Sequence, residues 1–175
     1  MLGKTIVAPA SAPGRGGVSV IRMSGANAKA IAEDMCGGLA QSWKFRKCKI
    51  KSTDGLVLDS GLVVFFESPH SYTGEDVVEF HCHGNPTIVN LIVEDVVKRG
   101  AVIAEPGEFT KTAFLNDKID LAQAESVADL INAQSKSAVI AANSSLSGNF
   151  SSSVDLIVEG LVSTRAVSYT HLTLP

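Results

Sequence analysis

The 175-residue sequence holds only three cysteines, Cys36, Cys48 and Cys82, an odd number with no close spacing. That excludes the disulfide framework of a small secreted domain and points to a reducing compartment. Positive charge is not in surplus either. Fifteen Lys and Arg against 18 Asp and Glu give a net charge of −3, which argues against a protein that coats nucleic acid by bulk charge. Long apolar runs are missing as well. Runs such as Leu62–Phe66 fall far short of the ~18 residues that suggest a membrane span. The N-terminal "MLGKTIVAPASAPGRGG" lacks the apolar region of a secretory signal. The expectation is a soluble, cytoplasmic protein with no membrane partner.

Several chemical signatures are also lacking. The sequence has no C-x-x-C or H-E-x-x-H pair for a metal and no G-x-S-x-G nucleophile elbow. The glycine loop "APGRGGVSVIR" is neither G-x-x-x-x-G-K-[ST] nor G-x-G-x-x-G. It precedes a strand pattern, so it has no helix N-terminus behind it to receive phosphate. No catalytic nucleophile is assigned, and Cys82 reads as a small buried hydrophobe.

What is present suffices for a core: 45% of the residues are hydrophobic, and the length suits one domain with an appendage. "KTIVAPA" reads as a short strand ending at Pro9. "VSVIRMS" (18–24) alternates, with Val18, Val20 and Arg22 on one face. An arginine on a face begun by two valines must reach the sheet's end or meet a buried anion. "NAKAIAEDMCGG" (27–38) reads as a helix stopped by Gly37. "KFRKCKIK" (44–51) reads as an edge strand protected by lysines, with a phosphate-contacting patch as the alternative. "GLVLDSGLVVFFES" (55–68) reads as one or two strands. Asn85 and Pro86 suit the N-cap and first position of a helix running to Gly100. "AVIAE" (101–105) returns as a strand, and Thr110 is placed to cap a short helix. From Asp120 the pattern is helical, opened by Asp120 and Gln123 as a capping box and interrupted near Gly148. The fold class is α+β. The expected domains are 1–117, a helical segment 118–165, and a tail, 166–175, whose threonines, valine and terminal proline fit a helix poorly.

The stretch "SYTGEDVVEFHCHGNP" (71–86) carries the chemistry. As a strand it sets Val77, Glu79, His81 and His83 on one face and Val78, Phe80 and Cys82 on the other. A metal site, a ligand pocket and a solvated sheet face are the three readings. Side chains at i, i+2 and i+4 spread over ~13 Å, too far for one ion without a bend, and three protein ligands with a water are the usual catalytic zinc set. On these residues alone an ordinary half-exposed sheet face accounts for the stretch.

Four segments together add a resemblance. "TIVAPASAPGRGGVSVIRMSG" (5–25), "SYTGEDVVEFHCHGNP" (71–86), "PGEFTKTAFLNDKIDLAQAESVADLI" (106–131) and "SLSGNF" (145–150) resemble, in order, the N-terminal part of the MnmE (TrmE) family of tRNA-modification GTPases, over residues 5 to 165. The resemblance implies a domain like the folate-binding domain of the glycine-cleavage aminomethyltransferase. It implies a homodimer that binds a tetrahydrofolate derivative, 5-formyl- or 5,10-methylene-tetrahydrofolate, whose one-carbon unit goes to the wobble uridine of tRNA. By motif, the implied folate contacts are Arg22, Glu79 and Lys118, and no metal ligand is implied. A pterin edge suits one carboxylate, and an anionic folate tail suits Arg22 and Lys118. The family's partners are the flavoprotein MnmG (GidA) and tRNA. Its GTP, Mg2+ and K+ belong to a GTPase domain expected to be missing here, together with a C-terminal cysteine tail. His83-Gly84-Asn85-Pro86 departs from the family's H-G-G-P. The competing expectations are a stand-alone folate-dependent one-carbon transferase and a metal-dependent hydrolase built on Glu79, His81 and His83.

Overall fold

The structure, a computed structural model, describes residues 3–172, and for 166–172 the backbone alone. It forms two compact units, one up to Lys118 and one from Ile119. The first unit runs β1 (Ile6–Pro9), β2 (Gly16–Ser24), α1 (Ala28–Cys36), β3 (Arg46–Lys51), β4 (Val57–Phe66), β5 (Val77–Gly84), α2 (Pro86–Lys98), β6 (Val102–Ile103) and α3 (Glu108–Leu115). The strands make one sheet in the order β3-β4-β5-β2-β1-β6. All its pairings are antiparallel except β1 with β6. This is a mixed α and β unit, as the sequence leads one to expect.

Alternation decides the two faces. Val78, Phe80 and Cys82 of β5 join Ile21 and Met23 of β2, Val63 and Phe65 of β4, and Val7 of β1 in one core. The helices α1 and α2 close over it through Ile31, Met35, Ile92 and Val96. Phe80, Ile21, Met23, Met35 and Ile92 are fully buried. The opposite face carries Arg22, Glu79, His81 and Val64, because strand residues two apart share a side. Gly61 is required where β4 passes β5: a side-chain carbon there would collide with the His81 carbonyl.

The helix ends follow local chemistry. Asn85 accepts a hydrogen bond from the Thr87 amide at 2.9 Å, and Pro86 occupies the first turn of α2. Gly37 ends α1 in the left-handed region, at φ 69°. Asp95 of α2 is buried but satisfied: it accepts from the Thr53 amide and hydroxyl and from Arg99 Nε. That fastens the β3–β4 hairpin to the helix. β3 is the sheet edge, with Lys47, Lys49 and Lys51 exposed and Cys48 and Ile50 buried, the pattern of a protected edge.

Two expectations change. The strand read at 101–105 shrinks to Val102–Ile103 because only those two residues pair with β1. Thr110 is not a cap. Gly107 precedes α3, the Glu108 carboxylate accepts from the Glu105 amide, and Thr110 bonds the Tyr72 hydroxyl instead. Of the one or two strands read in "GLVLDSGLVVFFES", there is one, Val57–Phe66.

The second unit holds α4 (Leu121–Asn132), α5 (Lys136–Leu146) and α6 (Asn149–Leu172). The capping box at Asp120 and Gln123 is made in both directions. Gly148, at φ 84°, separates α5 from α6. The α6 backbone continues across Ala166 to Leu172, so low helix propensity there does not end the helix. Such penalties are below about 1 kcal/mol per residue for anything but Gly or Pro. Residues 173–175, part of the tail set apart in the sequence, lie outside the described residues.

Phe80 lies in the middle strand of the β4-β5-β2 triplet with no exposure. Phe80→Ala is expected to remove about 3–5 kcal/mol of unfolding free energy, read by chemical denaturation. A loss under ~1 kcal/mol would contradict the placement of the core.

Candidate functional site

Pairing of β2 with β5 places Arg22 directly opposite Glu79. The anion required by an arginine on that face is therefore this carboxylate. Arg22 Nε and an Nη atom both reach Glu79 Oε1 at 2.8 Å. The pair is largely enclosed, with side-chain exposures of 28% and 14%, so the contact is stronger than a surface ion pair. The guanidinium also lies over two aromatic rings, 5.3 Å from the centroid of Tyr72 and 5.8 Å from that of Phe109, within cation–π range.

Glu79 Oε2 faces His81. The His81 Nε2 atom is 3.3 Å away, an ion-pair distance if the ring is protonated. The geometry makes no hydrogen bond, and Nε2 is a buried polar atom with no other partner. The edge of Phe45 packs on the same ring, with centroids 5.2 Å apart. Glu79 and His81 thus lie side by side among aromatic rings, with the His81 Nε2 atom making no hydrogen bond. A buried polar atom without a partner is uncommon in a folded protein and marks a place where a ligand or water completes the structure.

Loop 67–76 forms the next wall. Ser24 Oγ bonds both Thr73 Oγ1, at 2.7 Å, and Glu75 Oε2, at 2.8 Å. Asn116 donates to the Thr73 carbonyl at 2.7 Å. Lys118 Nζ donates to the Pro69 carbonyl at 3.0 Å, and its side chain lies where a Cβ at Gly74 would press on it. Gly74 has φ 78°, a left-handed conformation that favours glycine. Arg22 and Glu79 are in direct contact. Lys118 joins them through the loop whose Tyr72 covers Arg22.

His83 belongs elsewhere. Its Nδ1 is 2.7 Å from Asp59 Oδ1, and its amide donates to Asp59 Oδ2 at 2.7 Å. Glu79, His81 and His83 are thereby divided between two partners. Among the described residues no group of three His, Cys, Asp or Glu side chains is placed to hold one ion. Burial alone would raise the Asp59 carboxyl, but bonds from the His83 amide and ring and from the Ser60 amide outweigh it and hold the group below its ordinary value. Sequence reasoning singled out Arg22, Glu79 and Lys118. It missed Tyr72, Phe109, Phe45 and Asp59, since nothing in the spacing of these residues ties them to β5.

A family model described as the N-terminus of the GTP-binding protein TrmE matches residues 5–118. The chain belongs to the MnmE (TrmE) family. The tRNA modification GTPase MnmE of Neisseria meningitidis serogroup B is 48% identical over 171 residues, covering 98% of this chain and 38% of that protein. The protein of the same name from Laribacter hongkongensis is 47% identical over 175 residues, 99% of this chain and 39% of its own. That of Hydrogenovibrio crunogenus is 50% identical over 161 residues, 92% and 36%. The chain therefore spans well under half the length of these MnmE relatives. The Laribacter alignment runs past Arg165, where the sequence alone puts the end of the resemblance.

Asp59 has a lowered folded value, so it adds stability above its unfolded value, near 3.8, and that stability is lost as pH falls through the folded value. The gap in melting temperature between the native protein and Asp59→Asn should be full at pH ~6 and should close toward pH ~2. A gap that persists unchanged at the acid end would show that the Asp59 charge is not what stabilises the His83 corner.

Proposed function

We propose that this chain is a tetrahydrofolate-binding, dimer-forming module of a tRNA modification GTPase, in which a folate one-carbon unit is directed to the wobble uridine of tRNA. The observation that carries the reading is the enclosed Arg22–Glu79 pair under Tyr72 and Phe109, in a chain of the MnmE family.

The residues present suit the ligand. A pterin offers an amide N–H and an amino group on one edge, and an ionised carboxylate has about four acceptor positions. Arg22 occupies Oε1 of Glu79 and holds the charge that the pterin edge needs, while Oε2 lies on the side of His81. His81 Nε2, buried and unpartnered, is placed to bond either the ligand or a water beside it. The flat faces of Tyr72 and Phe109 favour an aromatic ring system. Lys118 spends one donor on Pro69. An ammonium has three, so two remain for an anionic glutamyl tail. The bound folate, as 5-formyl- or 5,10-methylene-tetrahydrofolate, supplies the transferable carbon. The protein's part is to fix the pterin edge and neutralise the tail.

The reading extends to a fold like the folate-binding domain of the glycine-cleavage aminomethyltransferase, to a homodimer in the cytoplasm, and to MnmG and tRNA as partners. GTP with Mg2+ and K+ is assigned to the part of the MnmE relatives outside the matched third of their length, since no G-x-x-x-x-G-K-[ST] occurs in this sequence. A stand-alone one-carbon transferase would use the same pocket but would need its own acid or base at the transferred carbon.

Calorimetric titration with 5-formyltetrahydrofolate tests the proposal. Glu79→Ala should weaken binding by ~2 kcal/mol or more, about 30-fold, beyond the stability lost because Arg22 is left without its partner. Lys118→Ala should weaken it less, in a salt-dependent way. An unchanged dissociation constant for Glu79→Ala would remove Glu79 from the site.

A further inference from the structure

The sequence gives no reason to pair Cys36 with Cys48, but the fold brings them together. Cys36 is the last residue of α1, and Cys48 points inward from the edge strand β3. Their sulfurs are 3.0 Å apart, in hydrogen-bonding contact, and both side chains are buried. Neither is in a disulfide. We infer that Cys36 and Cys48 are a redox-active dithiol, which thiol–disulfide exchange with a small-molecule disulfide such as oxidised glutathione converts to an intramolecular disulfide.

The contact is far closer than chance burial of two thiols requires, and about 1 Å of further approach reaches bonding distance. The two sulfurs are not equivalent. Either sulfur can donate in the bond between them; with Cys36 donating, that bond holds the Cys48 thiol below its ordinary value against the opposing effect of burial, and the charge of Arg46 adds to it. Cys36 is shifted up, first by that same bond and then by burial. Arg46 is anchored beside the pair, with its Nη1 bonded to the carbonyls of Cys36 and Gly38. Cys48 is therefore the attacking sulfur and Cys36 the resolving one. Cys82 is a natural contrast: burial and the nearby Asp59 charge push its thiol up to about 11, and its sulfur donates to the Ser19 carbonyl.

The exchange balances. The Cys48 thiolate attacks one sulfur of glutathione disulfide, forming a mixed disulfide and expelling one glutathione thiolate. Cys36 gives its proton to solvent, its thiolate attacks the Cys48 sulfur, and the second glutathione leaves as thiolate. Two protein thiols are oxidised and one glutathione disulfide is reduced to two glutathiones. The resulting ring would close around residues 37–47, the segment that sets Phe45 on His81. The effect on that wall rests on the site described above, whereas the bridge itself does not.

The test is intact-mass and peptide mapping of the folded native chain after incubation with oxidised glutathione, with alkylation of remaining thiols. The expected product has lost two hydrogen atoms, carries a Cys36–Cys48 linked peptide and one alkylated cysteine, Cys82, and reverts with excess reduced glutathione. Cys82→Ser should form the same bridge. Cys36→Ser should stop at a mixed disulfide on Cys48, and Cys48→Ser should form neither product at Cys36. Three alkylated thiols, a bridge involving Cys82, a bridge that needs denaturant, or a stable mixed disulfide in the native chain would each overturn the inference.

Discussion

Arg22 and Glu79 face each other across two adjacent strands in the interior of a six-stranded sheet. A charged pair so enclosed is stable only if its bonds are well made, because either partner left alone would be a buried, uncompensated charge. The surrounding structure meets that condition. Two guanidinium nitrogens reach one carboxylate oxygen, and Tyr72 and Phe109 cover the cation. What remains open is the other oxygen and the His81 nitrogen next to it. Charge has here been brought inside and only partly satisfied, which is the arrangement that the proposed folate site uses.

The sheet makes this possible by treating its two faces differently. On one, Phe80, Val78 and Cys82 meet α1 and α2 in a closed core. On the other, the same strand presents Glu79 and His81 to a cover built from loop 67–76 and the α3 segment. That cover is itself ordered by hydrogen bonds, from Ser24 to Thr73 and from Asn116 to the Thr73 carbonyl. Lys118, at the end of the first unit, is held by the same loop. The rigid side of the strand fixes the position of the acid, and the loop side supplies contacts that a ligand could rearrange.

Much of this is legible in the sequence where the physics is local. Alternation in "VVEFHCH" separates the core face from the polar one. Asn85 followed by Pro86 marks a helix start, and Gly37 marks a helix end. An arginine in line with valines calls for either the sheet's end or a buried anion, and the structure supplies the anion, Glu79. What the sequence does not reveal is long-range. Tyr72 and Phe109 cover Arg22 across 50 and 87 positions of chain. His83 turns to Asp59, and Cys36 meets Cys48 through the packing of α1 on β3. Thr110 shows how a local rule loses to a tertiary contact: its hydroxyl bonds Tyr72 rather than capping a helix. Family resemblance selected Arg22, Glu79 and Lys118. The geometry then gives the first two a physical reason to act together.

A crystal structure of the protein with 5-formyltetrahydrofolate would show whether Glu79 holds the pterin. The pterin amide and amino edge should lie within hydrogen-bond distance of the Glu79 carboxylate, with Arg22 still paired with Oε1 and the ring system against Tyr72 or Phe109. A ligand bound away from β5, or a Glu79 that makes no contact with the pterin, would contradict that role.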